Sequence, residues 1–146
     1  MEITLRKATP NDMDFLYSLR RSTMETYLKE IGAPAAEADH IARIEYQFDH
    51  ARIVLVNGVP AGLFKAALQM EHQRWYLMQI QVSPEFQGGG IGRTVITRLI
   101  KQAEEDGLSV VLSVLKNNPA KVLYERIGFS IIGESDIEFE MMYHPQ

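Results

Sequence analysis

The residues best suited to chemistry lie in VSPEFQGGGIGRTVI, positions 82–96. Gly88, Gly89 and Gly90 run together, Gly92 follows, and the stretch joins a strand-like run to an amphipathic helix pattern. Glycine gives up more backbone freedom on folding than any other residue, so this density is costly without a use. A strand, a glycine-rich turn and a helix start aim main-chain N–H groups and the positive end of a helix at an anion. A tight turn with no ligand would need one glycine rather than four. The expected chemistry is therefore the grip of a phosphate group by backbone nitrogens.

Two common phosphate patterns fail here. A G-x-G-x-x-G dinucleotide fingerprint breaks because Gly88 and Gly90 lead to Arg93, while Gly90 and Gly92 lead to Val95. A P-loop breaks because Gly92-Arg93-Thr94 has no glycine at the required earlier position. The pattern that fits is Gln-x-x-Gly-x-Gly, carried by Gln87, Gly90 and Gly92. It resembles the pyrophosphate loop of the GNAT superfamily of N-acetyltransferases, which bind acetyl-coenzyme A. A second stretch, VLSVLKNNPAKVLYERIGF at 111–129, is similar to that family's next block through Asn117, Ala120, Tyr124, Gly128 and Phe129. The order of strands and helices around both blocks matches as well, so the resemblance covers essentially the whole chain.

The elements that must position these residues can be read from local patterns. Ile3–Arg6 alternates like a strand, and Thr9-Pro10-Asn11-Asp12 reads as a helix start running to about Tyr27. A second helix is expected from about Ala36 to Phe48. Asn57-Gly58 joins a strand over 52–56 to a longer one over about 61–69, because Asn-Gly supplies the turn that matches strand twist. After a polar loop at 71–74, Trp75–Val82 reads as a central strand, apolar on both faces near its end. Val95, Ile96, Leu99, Ile100 and Ala103 make one helix face, ended by Gly107. Leu108–Leu115 is a strand, Asn117-Asn118-Pro119 starts a helix ended by Gly128, and two last strands fall at 129–133 and 137–143. The order β α α β β β α β α β β is that of an α/β (α+β) domain with a mixed sheet.

The resemblance implies a single N-acetyltransferase domain over residues 1–146. Its central sheet would have about six to seven strands, flanked by about four helices, with the parallel central strands splayed. The splay would leave main-chain groups of Ile80 and Val82 to pair with the pantetheine arm of coenzyme A like an added strand. The amides of Gln87, Gly88, Gly89, Gly90, Ile91, Gly92 and Arg93 would wrap the pyrophosphate. Tyr124 matches the family's general acid, with a helix-packed tyrosine as the plainer alternative. Asn117 would bond the pantetheine or fix the loop, unless it is simply a helix cap, a role for which Asn118 competes.

No base is evident. Relatives carry Glu or His on the strand before the loop. Here one face presents Tyr76, Met78, Ile80 and Val82, and the other Trp75, Leu77, Gln79 and Gln81. Glu25 is the candidate base or substrate contact, with His72 and Glu138 behind it. Residues 24–48 would shape the acceptor pocket, lined by Tyr27, Tyr46 and Phe48 if these do not simply pack.

Composition bounds these readings. The chain has 146 residues, 46% apolar and 23% charged, with net charge −4, enough for a real core and with no general pull toward nucleic acid or anionic membrane. There are no cysteines, which removes thiolate chemistry and Cys-based zinc, and four scattered histidines lack metal-ligand spacing. No signal peptide or membrane-length apolar run is present, so a cytoplasmic protein is expected. The function expected is acetyl transfer from acetyl-CoA directly to a primary amine of a small molecule. Acetylation of protein N-termini or lysines, or a non-catalytic acyl-CoA-binding module, are the alternatives. Superfamily members often form homodimers, and no residue here fixes an interface.

Overall fold

A computed structural model of the chain describes residues 1–145. Seven segments form one mixed sheet: Ile3–Lys7 (β1), Ala51–Val56 (β2), Val59–Gln69 (β3), Arg74–Val82 (β4), Ser109–Leu115 (β5), Ser130–Glu134 (β6) and Glu138–Tyr143 (β7). Their order across the sheet is β1-β2-β3-β4-β5-β7-β6. Among the described residues four α-helices accompany it: Met13–Glu30 (α1), Glu37–Glu45 (α2), Ile91–Glu105 (α3) and Ala120–Ile127 (α4). The expected class and element order are met. Strand β4 takes the central place in the order, and it pairs with β5 in parallel from Arg74↔Ser109 to Leu77↔Leu112. Beyond that last pair β4 runs on to Val82 and β5 to Leu115.

The chain falls into two compact units, residues 1–65 with 79–92 and residues 66–78 with those from Arg93 onward. In the first, β1 pairs antiparallel with β2, and β2 with β3 across the Asn57-Gly58 turn, whose φ angles of 50° and 82° suit a tight hairpin. Leu16 and Leu19 of α1 and Ile44 of α2 pack on Ala51, Ile53 and Leu63 of the strands. Burying each of the leucine and isoleucine side chains among them contributes about 1.5–3 kcal/mol. Helix α1 begins later than its Thr9 signal: Pro10–Asp12 is a 3₁₀ turn, and the α-helix starts at Met13. The start is fixed by Asp12, which accepts the Thr9 N–H at 2.8 Å and both Arg6 guanidinium donors at 2.8 and 2.9 Å.

Helix α2 stops at Glu45, short of the expected Phe48, and Gln47 turns into the left-handed region at φ 49°. The cause is a lysine inside the protein. Lys65, only 1% exposed on β3, donates to the carbonyls of Arg43 at 3.1 Å, Ile44 at 2.9 Å and Tyr46 at 2.6 Å. A helix leaves its last carbonyls without intrahelical partners and concentrates negative charge there. The Lys65 ammonium, with three donors and a positive charge, answers both. Burial, with the nearby charges of Arg43 and Arg20, lowers its pKa to about 8.

In the second unit β5 pairs antiparallel with β7, and β7 with β6. The predicted face of α3, Val95, Ile96, Leu99, Ile100 and Ala103, is buried, as are Leu77, Val110, Leu112 and Met141 of the strands. Tyr124, Phe129 and Tyr143 form a chain of tilted rings with centroids 6.0 and 5.8 Å apart, and the Tyr143 hydroxyl donates to Glu104.

Lys65→Met keeps the length of the side chain and removes the donors. Each buried carbonyl left unpaired costs about 1–3 kcal/mol. Urea unfolding should show the midpoint falling by roughly 1–2 M. An unchanged midpoint would mean the three carbonyls find water at no cost.

Candidate active site

The glycine loop is built by a strand that ends abruptly. Ser83, buried just past β4, donates its N–H to the Ala61 carbonyl of β3 at 2.8 Å. Pro84–Phe86 forms a 3₁₀ turn, and the Gln87 side chain folds back so that Nε2 donates to the Val82 carbonyl at 2.9 Å. The glutamine of the motif thus braces the loop against the strand it leaves. Ile91, 2% exposed, anchors the first residue of α3 in the core. Between those anchors, Gln87 to Gly90 are exposed.

Backbone conformation explains only part of the glycine run. Gly88 and Gly90 have φ of +86° and +78°, a region that favours glycine. Gly89 has neither a positive φ nor crowding, since a Cβ there would meet only the Phe86 carbonyl, at 3.9 Å. A Cβ at Gly88 or Gly90 would meet nothing within 4 Å. The space beside Gly88 and Gly90 is open, and a Cβ at Gly89 would make only an ordinary van der Waals contact with the Phe86 carbonyl.

Strand β4 fixes which edge each of its main-chain groups faces. Successive N–H and C=O groups along a strand point to opposite edges. Ser83 bonds toward β3, and the Gln81 carbonyl presses on Gly62 of β3, where an added Cβ would lie only 2.3 Å from that oxygen. Ile80 and Val82 therefore direct their main-chain groups to the edge away from β3. The side-chain pattern differs from the expected apolar ending. Leu77, Gln79 and Gln81 are buried while Tyr76, Met78, Ile80 and Val82 are half-buried. Both amide atoms of Gln79 and the Oε1 of Gln81 are buried without a protein partner.

In the second unit, the competition between the two asparagines is decided locally. Asn118 Oδ1 accepts the Ala120 N–H at 2.9 Å and so starts α4, which leaves the half-buried Asn117 outside that role. Tyr124 is 8% exposed, and burial alone pushes its phenol up to about 12. Such a phenol keeps its proton throughout the neutral range, as a proton donor must. Arg93 is exposed in the first turn of α3.

Glu25, on α1 in the first unit, stands among basic side chains. Its carboxylate lies 3.3 Å from Arg21, 3.8 Å from Lys29 and 3.7 Å from His40 Nε2. The Arg21 hydrogen bond holds its carboxyl below the usual carboxylate range, which weakens it as a proton acceptor. His72 sits in an exposed turn and Glu138 is half-buried on β7. Of the pocket candidates, Phe48 packs on the core, Tyr46 is exposed under the Arg43 guanidinium, and Tyr27 is half-buried. Among the described residues no cluster of His, Asp or Glu could hold a metal, and no helix is long and apolar enough to cross a membrane.

Sequence reasoning missed the buried polar set of the first unit: Arg20, His40, Lys65, Gln79, Gln81 and Ser83. Spacing carried a signal. Arg20 follows Leu16 by one helical repeat, His40 precedes Ile44 by one, and Lys65 alternates with Leu63 and Ala67. Arg20 Nε donates to His40 Nδ1 at 3.1 Å. A guanidinium only donates, so Nδ1 accepts, and the imidazole is neutral with its proton on Nε2. Burial, followed by the charge of Arg20, lowers the His40 pKa and keeps it so.

The profile of the acetyltransferase (GNAT) family matches residues 14–129. The chain belongs to this family. Over 71 residues it is 34% identical to the ribosomal protein bS18-alanine N-acetyltransferase of Haemophilus influenzae, a match that spans 48% of this chain and 45% of that enzyme. With the spermidine N(1)-acetyltransferase of Escherichia coli it shares 28% identity over 148 aligned positions, covering 94% of this chain and 77% of the relative. The PaiA N-acetyltransferase of Thermoplasma acidophilum, crystallised with coenzyme A, has the same fold at a TM-score of 0.77, with 17% identity and 99% of each chain covered.

Gly62→Ala places a methyl group against a backbone oxygen rather than a flexible side chain. The clash should cost about 1–3 kcal/mol, visible as a lower melting temperature. An unaltered melting curve would show that β3 and β4 separate there freely.

Proposed function

We propose that this chain transfers the acetyl group of acetyl-coenzyme A directly to a primary amine of a small molecule. The observation that carries the reading is Gly89, a glycine that neither backbone conformation nor protein packing requires, at the centre of an exposed loop that opens a helix. A diphosphate laid against the main chain that follows Gln87, whose own N–H donates to the Pro84 carbonyl at 3.2 Å, explains it, because any side chain would hold the phosphates away. Ile80 and Val82 would pair the pantetheine amides through the edge that β3 does not use. The Val82 carbonyl accepts from Gln87 and keeps a second lone pair for this. On this reading residues 1–146 act as one N-acetyltransferase domain in the cytoplasm.

Bound acetyl-CoA supplies an activated thioester carbonyl. The protein must hold the amine at that carbon while the N–C bond forms and the C–S bond breaks. Tyr124 gives its proton to the departing sulfur, and its raised pKa keeps that proton available. Asn117 helps to fix the cofactor arm. Glu25, bound into its basic cluster, serves as a contact for the acceptor rather than as a base, so the amine sheds its proton through water. A second reading, acetylation of a protein N-terminus, is favoured by the likeness to the Haemophilus enzyme named for bS18-alanine. Assays on peptides beside small amines, with released thiol detected by colour, separate the two.

Two variants test the assignment. Gly89→Ala should leave stability within about 0.5 kcal/mol while raising the calorimetric Kd for coenzyme A by tenfold or more. An unchanged Kd would take the loop out of the cofactor site. Tyr124→Phe should lower kcat by about 10²–10⁴ with coenzyme A affinity retained. Because the phenol titrates near 12, wild-type kcat should hold level from about pH 8 to about pH 10 rather than fall as its acid ionises. Full turnover in Tyr124→Phe would remove that residue from catalysis, and coenzyme A binding with no thiol release from any amine would make the wild type a non-catalytic binder.

A further inference from the structure

Two side-chain cations are buried in the first unit, and they are satisfied differently. Lys65 places its donors on three carbonyls. Arg20 is 9% exposed on α1, donates through Nε to a neutral imidazole, and among the described residues has no carboxylate within ion-pair distance. The ring that Arg20 bonds through Nδ1 has Glu25 at 3.7 Å from its other nitrogen. Glu25 already faces Arg21 and Lys29. Every other acid of α1 and α2, namely Asp14, Glu30, Glu37, Asp39 and Glu45, is exposed. Like charge surrounds Arg20 instead, since Arg43 lies close enough to add to the effect of burial, and the two together act on Lys65.

A buried ion is costly unless it is paired and hydrogen-bonded. The flat guanidinium fork matches a carboxylate with two parallel bonds, and it holds its charge in surroundings where an ammonium would give it up. Gln79, in the same unit, adds a buried amide with neither atom partnered by protein. Polar groups held ready in this way are what a small-molecule site uses to orient its ligand.

We propose that Arg20 receives an acidic group of the acceptor, so that the amine acetylated by this chain carries a carboxylate. The acceptor class is then an amino acid rather than a polyamine or a simple alkyl amine. This rests on the acetyl-transfer reading and sharpens it.

The test is calorimetry on the protein saturated with coenzyme A. Glycine, L-methionine, L-phenylalanine and L-lysine are each compared with the amine that lacks their α-carboxylate: methylamine, 3-methylthiopropylamine, phenethylamine and cadaverine. Spermidine is added as a polyamine. At least one amino acid should bind about tenfold or more tightly than its partner amine, the ratio one charge-assisted bond supplies. Arg20→Gln should erase that preference, Arg20→Lys should keep part of it, and both should leave coenzyme A affinity within about twofold. If Arg20→Gln fails to fold, the wild-type comparison decides by itself. Equal or tighter binding of the carboxylate-free amines or spermidine overturns the proposal. So does no binding by the whole panel to protein that still takes coenzyme A. Loss of coenzyme A affinity in Arg20→Gln overturns it too, by assigning the anion to the cofactor. Failure of the wild type to bind coenzyme A is a separate result, which brings down the acetyl-transfer reading as well.

Discussion

Every main-chain N–H and C=O that leaves water needs a partner, and strand β4 is where that requirement organises the molecule. On one edge β4 leans so closely on β3 that only glycine fits at position 62, against the Gln81 carbonyl. On the other edge its pairing with β5 ends at Leu77, five residues before the strand does. Ile80 and Val82 point their backbone groups to that second edge. An extended amide chain is the natural partner for such groups, and the loop that follows opens a helix end toward an anion. On the proposed reading one strand thus serves both halves of an elongated ligand, an amide arm and a charged head.

The first unit buries two side-chain cations, and they show opposite uses of burial. Lys65 works as a fastener. Its ammonium closes the carbonyl end of α2 and ties that helix to β3, which is why the helix stops three residues early. Arg20 has no comparable internal task. Its one protein partner is an imidazole whose tautomer it dictates, and that imidazole carries no charge to offset it. Breaking a buried charge pair is far more damaging than never burying it, so a lone guanidinium kept inside a stable core points outward, to a partner that arrives with the ligand.

Much of this was legible in the residues themselves. Seven strands and four helices follow from periodicity and punctuation: Asn57-Gly58 made its hairpin, Gly107 and Gly128 closed their helices, and the α3 face is buried as its spacing required. The glycine loop was legible because four glycines in five positions is a local signal. The buried polar set was not, because it depends on which long-range neighbour a side chain meets. A lysine between Leu63 and Ala67 reads as a flaw in a strand until α2 is seen to end above it. Likewise Asn117 and Asn118 cannot be told apart by type, since only the turn geometry shows which oxygen reaches the Ala120 amide. The late start of α1 is a similar case: Asp12 draws in both Thr9 and Arg6 from different elements, and that bond set is invisible in a window of local sequence.

Burial acts on Tyr124 and Arg20 through the same physics, moves their pKa values in opposite directions and leaves both protonated at neutral pH, one neutral and one charged. Desolvation always disfavours the charged form. For a phenol the charged form is the one that has lost its proton, so burial raises Tyr124 to about 12 and keeps a donor loaded at neutral pH. For a guanidinium the charged form is the one that keeps its proton, so burial and the charge of Arg43 lower Arg20 to about 10. That value still lies well above neutrality, and the cation survives. An ammonium at that position, starting from a lower pKa, would be far nearer to losing its charge, as Lys65 at about 8 already is with three carbonyls around it. Arginine is therefore the basic side chain that can wait inside this unit, charged and without an anion, until one is delivered.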